Sequence, residues 1–290
     1  MKLKYLVIGG DIRQAYMAAS LYKEGHNVTM VFGDNFMDVL SDVQIAKMSN
    51  IDMRNYDVII FPMPISKDSK TLNCTEVVDL IDLVNKVPED KIILGGGVTL
   101  EVKEMFNSVG LHIHDYLQRE ELAVLNAIPT AEGAIEIAIR ERNTTINGSN
   151  CLVTGFGRIS KVLVKILNGM GAKVMVAARK HKDLAWANIY GADSCHISSL
   201  SELVKNKDII FNTVPYRIFN KKVLLNINKE CLIIDLASIP GGFDFDKAKQ
   251  LDLNPIWALS LPGKVAPKTA GEIIKNTVIN IVDEINLPFL

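Results

Sequence analysis

Cys151-Leu152-Val153-Thr154-Gly155-Phe156-Gly157-Arg158-Ile159-Ser160 is the stretch that decides the fold. An apolar, strand-like run enters a two-glycine turn and leaves it as the start of a helix, and a second strand candidate, 173–177, completes a βαβ unit. Gly155 permits the tight turn, and Gly157 lets the backbone approach a pyrophosphate, which then meets the unpaired N–H groups and positive dipole end of the helix. The phosphate-loop candidates are therefore Gly155, Phe156, Gly157, Arg158 and Ile159. Ser160 stands where the usual fingerprint has a third glycine, and serine is small enough to keep helix and strand close.

The end of the second strand bears on which dinucleotide is bound. An NAD site wants a carboxylate there for the ribose 2′-hydroxyl, but the chain reads Ala177-Ala178-Arg179-Lys180-His181-Lys182, with no acid before Asp183. A guanidinium at Arg179 would grip a 2′-phosphate with paired, charge-assisted bonds, so Ala178 and Arg179 join the site and NADP is the expected cofactor. A solvated basic turn is the alternative. Asn212-Thr213-Val214-Pro215 and Asp235-Leu236-Ala237-Ser238 close later strands and should border the same ligand, through Thr213, Val214, Pro215 and Ala237, because open α/β sheets bind beyond the carboxyl ends of their strands; structural turns are the alternative.

Outward from this unit, short β-branched runs alternate with helical stretches over the whole chain. Strands are expected at 4–8, 27–32, 57–61, 91–94 and 111–114, and again at 150–154, 173–177, 194–197, 208–212, 231–236 and 255–257. Helices are expected at 13–24, 75–84, 100–108, 129–142 and 269–286. Such alternation implies an α/β protein with two doubly wound Rossmann-like domains, the second binding NADP. The expected division is 1–128, with the closing helix 269–290 folded back on it, and 129–268, including the linking helix.

Composition narrows the function classes. With 32 basic against 33 acidic residues and a net charge of −1, the chain lacks the basic surface that nucleic-acid affinity rests on. The apolar run after Lys4 is too short for an export signal, and no uncharged stretch approaches the ~20 residues that span a bilayer. A cytoplasmic protein with no membrane partner is expected. Cys74, Cys151, Cys195 and Cys231 show no metal-ligand spacing, nor do the five histidines, so neither disulfides nor a metal is expected.

Several further motifs carry a family resemblance: Gly9-Gly10-Asp11-Ile12-Arg13-Gln14, Ile128-Pro129-Thr130-Ala131-Glu132-Gly133, Gly155-Phe156-Gly157-Arg158, the run 235–242 (DLASIPGG) and the run 261–271 (LPGKVAPKTAG). On these the chain resembles the dipicolinate synthase A-subunit family nearly end to end, departing from it at Ser160 and in 63–73. The resemblance implies oxidation of dihydrodipicolinate to dipicolinate (pyridine-2,6-dicarboxylate) with NADP as hydride acceptor, chemistry on a CH–CH donor. It also implies a partner, the flavoprotein-like B subunit, with expression in the mother-cell cytoplasm of a sporulating bacterium; it leaves homo-oligomerisation open.

Such an enzyme mainly positions a small dicarboxylate, since aromatisation of the ring supplies much of the driving force. Cations from both domains are expected to hold it: Arg13 or Arg119 from the first, Lys264 or Lys268 from a Pro/Gly-rich loop after the second. Thr130, Ser238, Gly241 and Gly242 are further substrate-binding candidates, the glycine turn through its backbone N–H groups. Glu132 is the candidate proton acceptor or lysine orienter, and with Lys264 and Lys268 makes up the catalytic candidates. Two other readings stand beside this one. A 2-hydroxy or 2-amino acid dehydrogenase shares the plan, but the hydroxy-acid enzymes usually carry a late catalytic histidine, and none follows His196. A non-catalytic NADP-binding sensor would bind cofactor without turnover.

Overall fold

The computed structural model describes residues 2–286. It divides into unit 1, Met1–Leu125 with Ala266–Leu290, and unit 2, Asn126–Val265. Each joint thus falls three residues before the expected 128/129 and 268/269 boundaries.

Unit 1 runs β1 (Lys4–Ile8), α1 (Ile12–Lys23), β2 (Asn27–Val31), β3 (Gln44–Ala46), β4 (Val58–Ile60), α2 (Leu80–Val84), β5 (Ile92–Gly95), α3 (Leu100–Ser108), β6 (Ile113–Asp115) and α4 (Glu120–Leu125). Its strands are ordered β3-β2-β1-β4-β5-β6, and every pairing is parallel. The pleat explains why β1 is apolar after Lys4. Tyr5 and Val7 enter the cluster on one face, Leu6 and Ile8 the cluster on the other, and each needs an apolar neighbour. The N-cap Asp11 starts α1 by accepting from the Arg13 N–H at 3.0 Å. The closing helix of the chain, Pro267–Asn286, belongs to this unit and lies against α1. A Cβ on Gly271 would stand 2.6 Å from both the Arg13 carbonyl oxygen and Tyr16 Cβ, so glycine is what lets the two backbones approach.

Two expectations fail here. The helix expected over 75–84 begins only at Leu80, because Asp79 caps it by accepting from the Ile81 N–H, and the preceding residues form a bridge, Thr71 to Asp79. The three-residue edge strand β3, half exposed, has no counterpart in the expected strands.

Unit 2 runs α5 (Ala127–Glu141), β7 (Asn150–Thr154), α6 (Arg158–Gly169), β8 (Lys173–Ala178), α7 (His181–Ile189), β9 (Asp193–His196), α8 (Leu200–Leu203), β10 (Ile209–Asn212), α9 (Lys221–Leu224), β11 (Leu232–Asp235), α10 (Phe245–Gln250), β12 (Ile256–Trp257) and α11 (Leu261–Val265). Its order, β12-β11-β10-β7-β8-β9, again all parallel, repeats the plan of unit 1. In both sheets the chain reverses direction beside the first strand, between β1 and β4 and between β7 and β10, which opens a crevice at the carboxyl ends.

Among the described residues, Glu120–Glu141, 22 residues with an 18-residue stretch of mean hydropathy 1.4, is long and apolar enough to cross a membrane by those measures, but 50% of that stretch is buried. The apolar side chains of α5, including Ala131, Ala134, Ile135 and Ala138, are accounted for by burial in the core of unit 2. Lys264 does not sit in a loop as expected. It lies on α11, and Lys268 lies in the first turn of the closing helix, now labelled α12. Pro262 and Pro267 occupy helix starts, where the missing N–H costs nothing.

Candidate functional site

The carboxyl ends of β7, β8, β10 and β11 assemble one site in unit 2. Gly155 has φ +84, and a Cβ there would lie 2.7 Å from Thr213 Oγ1 and 3.0 Å from Val214 Cγ2. The glycine is therefore needed twice over, for the left-handed backbone and for the closeness of the β10 loop. Gly157 is different. As N-cap of α6 it has an extended backbone, and a Cβ on it would meet nothing within 4 Å. The space before α6 is open, so a phosphate can reach the N–H groups of the first turn.

Ser160 is fully buried and its hydroxyl lies 2.8 Å from that of Thr213. From there a chain of polar groups crosses the sheet end. Thr213 Oγ1 donates to the Thr154 carbonyl (2.8 Å), Thr154 Oγ1 donates to Asn212 Oδ1 (2.6 Å), and Asn212 Nδ2 donates to Asp235 Oδ1 (2.7 Å). The buried Asp235 carboxylate also accepts from the N–H groups of Ala237 (3.1 Å) and Gly242 (2.7 Å). Three donors offset the desolvation of a charge that otherwise has no place in a core. The network ties the phosphate loop to the β10 and β11 loops. Asn212 and Asp235, its central members, open the two segments expected to border the cofactor, but their bond to each other and to Thr154 was not expected.

The network also overturns one expectation. The N–H groups of Gly241 and Gly242 are not free for a substrate: Gly241 donates to the Ser238 carbonyl (2.8 Å) and Gly242 to Asp235. Both glycines are buried and their space is filled, since a Cβ on Gly242 would lie 2.1 Å from Asn212 Nδ2. Ser238 itself is exposed.

Arg179 follows β8 directly and is exposed. Ala177 pairs with Thr154, so Ala178 and Arg179 emerge beside the glycine loop. No carboxylate pairs with Arg179 among the described residues. Pro215 follows Val214 on the β10 loop and Ala237 is buried next to Asp235. The cradle before α6 together with an unpaired cation at the β8 end fits a nicotinamide dinucleotide.

The expected substrate residues fall in both units. In unit 1, Arg13 is doubly bonded to Asp11 (2.6–3.1 Å), and Arg119 is held by Glu121 (2.8 Å) and Glu284 (2.6 and 2.7 Å). Both cations are thus already neutralised by their own unit, which Arg119 shows in the lowered carboxyl pKa of Glu284. Lys268 lines a groove of about 360 Å³ with Lys23, but Asp38, Asp42 and Glu272 line it too, a poor setting for a dianion. In unit 2 the Thr130 hydroxyl donates to the Asn126 carbonyl (2.6 Å). Glu132 is exposed in the second turn of α5, and Lys264 is exposed on α11, which packs against α5 at Gly133. The four thiols are free, and burial pushes those of Cys151 and Cys231 up to about 12, so neither is a nucleophile. No cluster of metal-ligating side chains occurs among the described residues.

Comparison with known proteins agrees with this geometry. Residues 4–117 match the N-terminal domain of the dipicolinate synthase A subunit. Residues 130–238 match the NAD-binding domain of D-isomer specific 2-hydroxyacid dehydrogenases. The dipicolinate synthase A subunit of Bacillus subtilis is 33% identical over 287 residues, 98% of this chain and 97% of its own. The crystal structure of that Bacillus subtilis protein superposes with a TM-score of 0.89 at 32% identity, covering 100% of this chain and 98% of that one. The crystal structure of the Bacillus halodurans dipicolinate synthase A subunit gives 0.88 at 28%, covering 97% of each chain. A transhydrogenase from Sinorhizobium meliloti, 12% identical with a TM-score of 0.71, shares the fold over 97% of this chain and 94% of its own. Unit 2 is accordingly a dehydrogenase-type nicotinamide-dinucleotide domain.

Proposed function

This chain belongs to the dipicolinate synthase A-subunit family, and from that premise we propose that it oxidises dihydrodipicolinate to dipicolinate with NADP as hydride acceptor. The observation that carries the reading is the built cradle, Gly155 against Thr213 with open space at Gly157, in a chain related to that family over 98% of its length. When bound, the oxidised nicotinamide supplies the hydride acceptor. The protein's part is to hold the substrate ring against it and to let the ring proton leave, with Glu132 the proposed acceptor. Lys264, exposed in unit 2, is the proposed carboxylate ligand, because Arg13 and Arg119 are already paired and Lys268 shares its groove with three carboxylates. NADP is favoured over NAD by Arg179, an exposed cation where an NAD site carries an acid. The family further supports partnership with a B subunit, in the mother cell during sporulation.

The test is an assay with freshly generated dihydrodipicolinate, NADP or NAD, and with or without the B subunit, following reduced nicotinamide and dipicolinate together. Expected are turnover only when the B subunit is present, together with an NADP affinity at least ~10-fold above that for NAD, a preference that Arg179→Ala removes. Lys264→Ala should lower kcat/KM by about 10²-fold with NADP affinity kept, while Lys268→Ala should leave turnover near normal. Dinucleotide binding with no substrate-dependent absorbance change under any condition would instead favour a sensor. A hydroxy-acid dehydrogenase is disfavoured by the absence of any histidine after His196.

A further inference from the structure

Arg179 stands where β8 has ended and α7 has not begun, so its carbonyl has left the sheet ladder. The structure gives that carbonyl a side-chain partner: His196 Nε2, at 3.2 Å. His196 closes β9, in register with Ala178, and caps the turn that follows it. Its other nitrogen, Nδ1, accepts from the Ser198 N–H (3.3 Å) and lies 2.8 Å from the Ser198 hydroxyl. A nitrogen that accepts carries no proton, so the neutral ring holds its hydrogen on Nε2 and donates it to Arg179. His181, the first residue of α7, stacks on the same ring, with centroids 6.0 Å apart and planes 27° apart. One imidazole therefore holds the residues on both sides of Lys180.

We propose that His196 is a positioning residue for dinucleotide selection: by fixing the Arg179 carbonyl it fixes the direction in which the Arg179 side chain leaves the sheet, toward the 2′-phosphate. This rests on the NADP reading above and deepens it. Arginine loses side-chain freedom when it binds, and a backbone that already points it at the ligand reduces that loss. His196 bonds the chain at Arg179 and not at the glycine loop, so NAD should not sense it.

The experiment measures Kd for NADP and for NAD in the full chain and in His196→Ala, His196→Gln, Arg179→Ala and the His196→Ala/Arg179→Ala double variant. His196→Ala should weaken NADP about fivefold and leave NAD within twofold, the loss expected for one partly exposed hydrogen bond. His196→Gln, whose Nε2 still donates, should recover most of the loss. In the Arg179→Ala background the second substitution should add nothing to the NADP Kd, since its effect runs through the guanidinium. If the unaltered protein binds NADP and NAD alike, the NADP reading fails and this inference with it. If NADP is preferred but His196→Ala keeps that preference, or weakens both dinucleotides equally, the positioning role alone is overturned.

Discussion

Gly155 and Gly157 stand two residues apart in one loop, yet the structure assigns them opposite costs, and alanine at each position separates folding from binding. At Gly155 the left-handed backbone costs a non-glycine residue about 1–2 kcal/mol. The new Cβ, 2.7 Å from Thr213 Oγ1 and 3.0 Å from Val214 Cγ2, adds overpacking of about 1–3 kcal/mol. Moving Thr213 aside also breaks its bonds to Ser160 and Thr154. Gly155→Ala should therefore destabilise unit 2 by roughly 2–5 kcal/mol. Gly157→Ala places its Cβ in open space on an extended backbone, so stability should be unchanged or rise by about 0.4–1 kcal/mol through the unfolded chain. That open space is what a pyrophosphate needs, so dinucleotide affinity should fall at least ~10-fold, about 1.4 kcal/mol. Both tryptophans, Trp186 and Trp257, lie in unit 2, so urea unfolding followed by their fluorescence reports this unit alone. Trp257 is a well-fixed probe, donating to the Ala237 carbonyl at 2.9 Å and stacking on Phe245. The reasoning is refuted if Gly157→Ala loses as much stability as Gly155→Ala, or if it binds dinucleotide normally.

Two further expectations concern unit 1. Gly271→Ala forces a Cβ to within 2.6 Å of α1, so α1 and α12 must separate at a cost of about 1–3 kcal/mol; hydrogen exchange at Ala15–Leu21 should accelerate, and unchanged protection would contradict the close crossing. The Arg119 guanidinium holds the Glu284 carboxyl below the ordinary glutamate value of about 4.3, and a backbone N–H, with Arg119 behind it, does the same for Glu121, so this stabilisation is complete above that value and is lost as pH falls through the lower folded values. Arg119→Ala should accordingly lower the Tm of unit 1 at neutral pH and make no difference once both carboxyls are protonated; an equal deficit in strong acid would rule the mechanism out.

Most of the fold could be read from local pattern because parallel strands buried on both faces announce themselves as continuous apolar runs. Lys4–Ile8 and Asn150–Thr154 each take in the apolar run, Tyr5–Ile8 and Cys151–Val153, with one polar residue or two at the ends. What pattern missed had physical reasons. The edge strand Gln44–Ala46 pairs on one side only and stays half exposed, so it needs no apolar run. The Leu261–Val265 helix hides behind Pro262 and Gly263, residues that usually end helices but are tolerated in a first turn. The close approach of α12 to α1 turns on a single missing methyl at Gly271, a matter of fitted surfaces rather than of period.

The site divides along the same line. Its phosphate loop is local, a turn whose residues are contiguous, and so the glycines and the basic β8 end stood out in the sequence. The parts that hold it in shape are joined across distance in the chain: Thr154 to Asn212 over 58 residues, Asn212 to Asp235 over 23, Arg179 to His196 over 17. Each of these residues looks unremarkable in its own segment, and only the parallel register places Thr154, Asn212 and Asp235 side by side at one end of the sheet. The same register explains why the Ser238–Gly242 turn, so conspicuous in the sequence, does not offer its glycine N–H groups to a ligand. Asp235 must be satisfied once it is buried, the Gly242 N–H is within 2.7 Å, and a buried charge takes the nearest donor before any substrate arrives. If the proposed reaction is right, the groups that read its substrate in this unit are exposed side chains, and Lys264, Glu132 and Ser238 are the expected residues that geometry has not committed elsewhere.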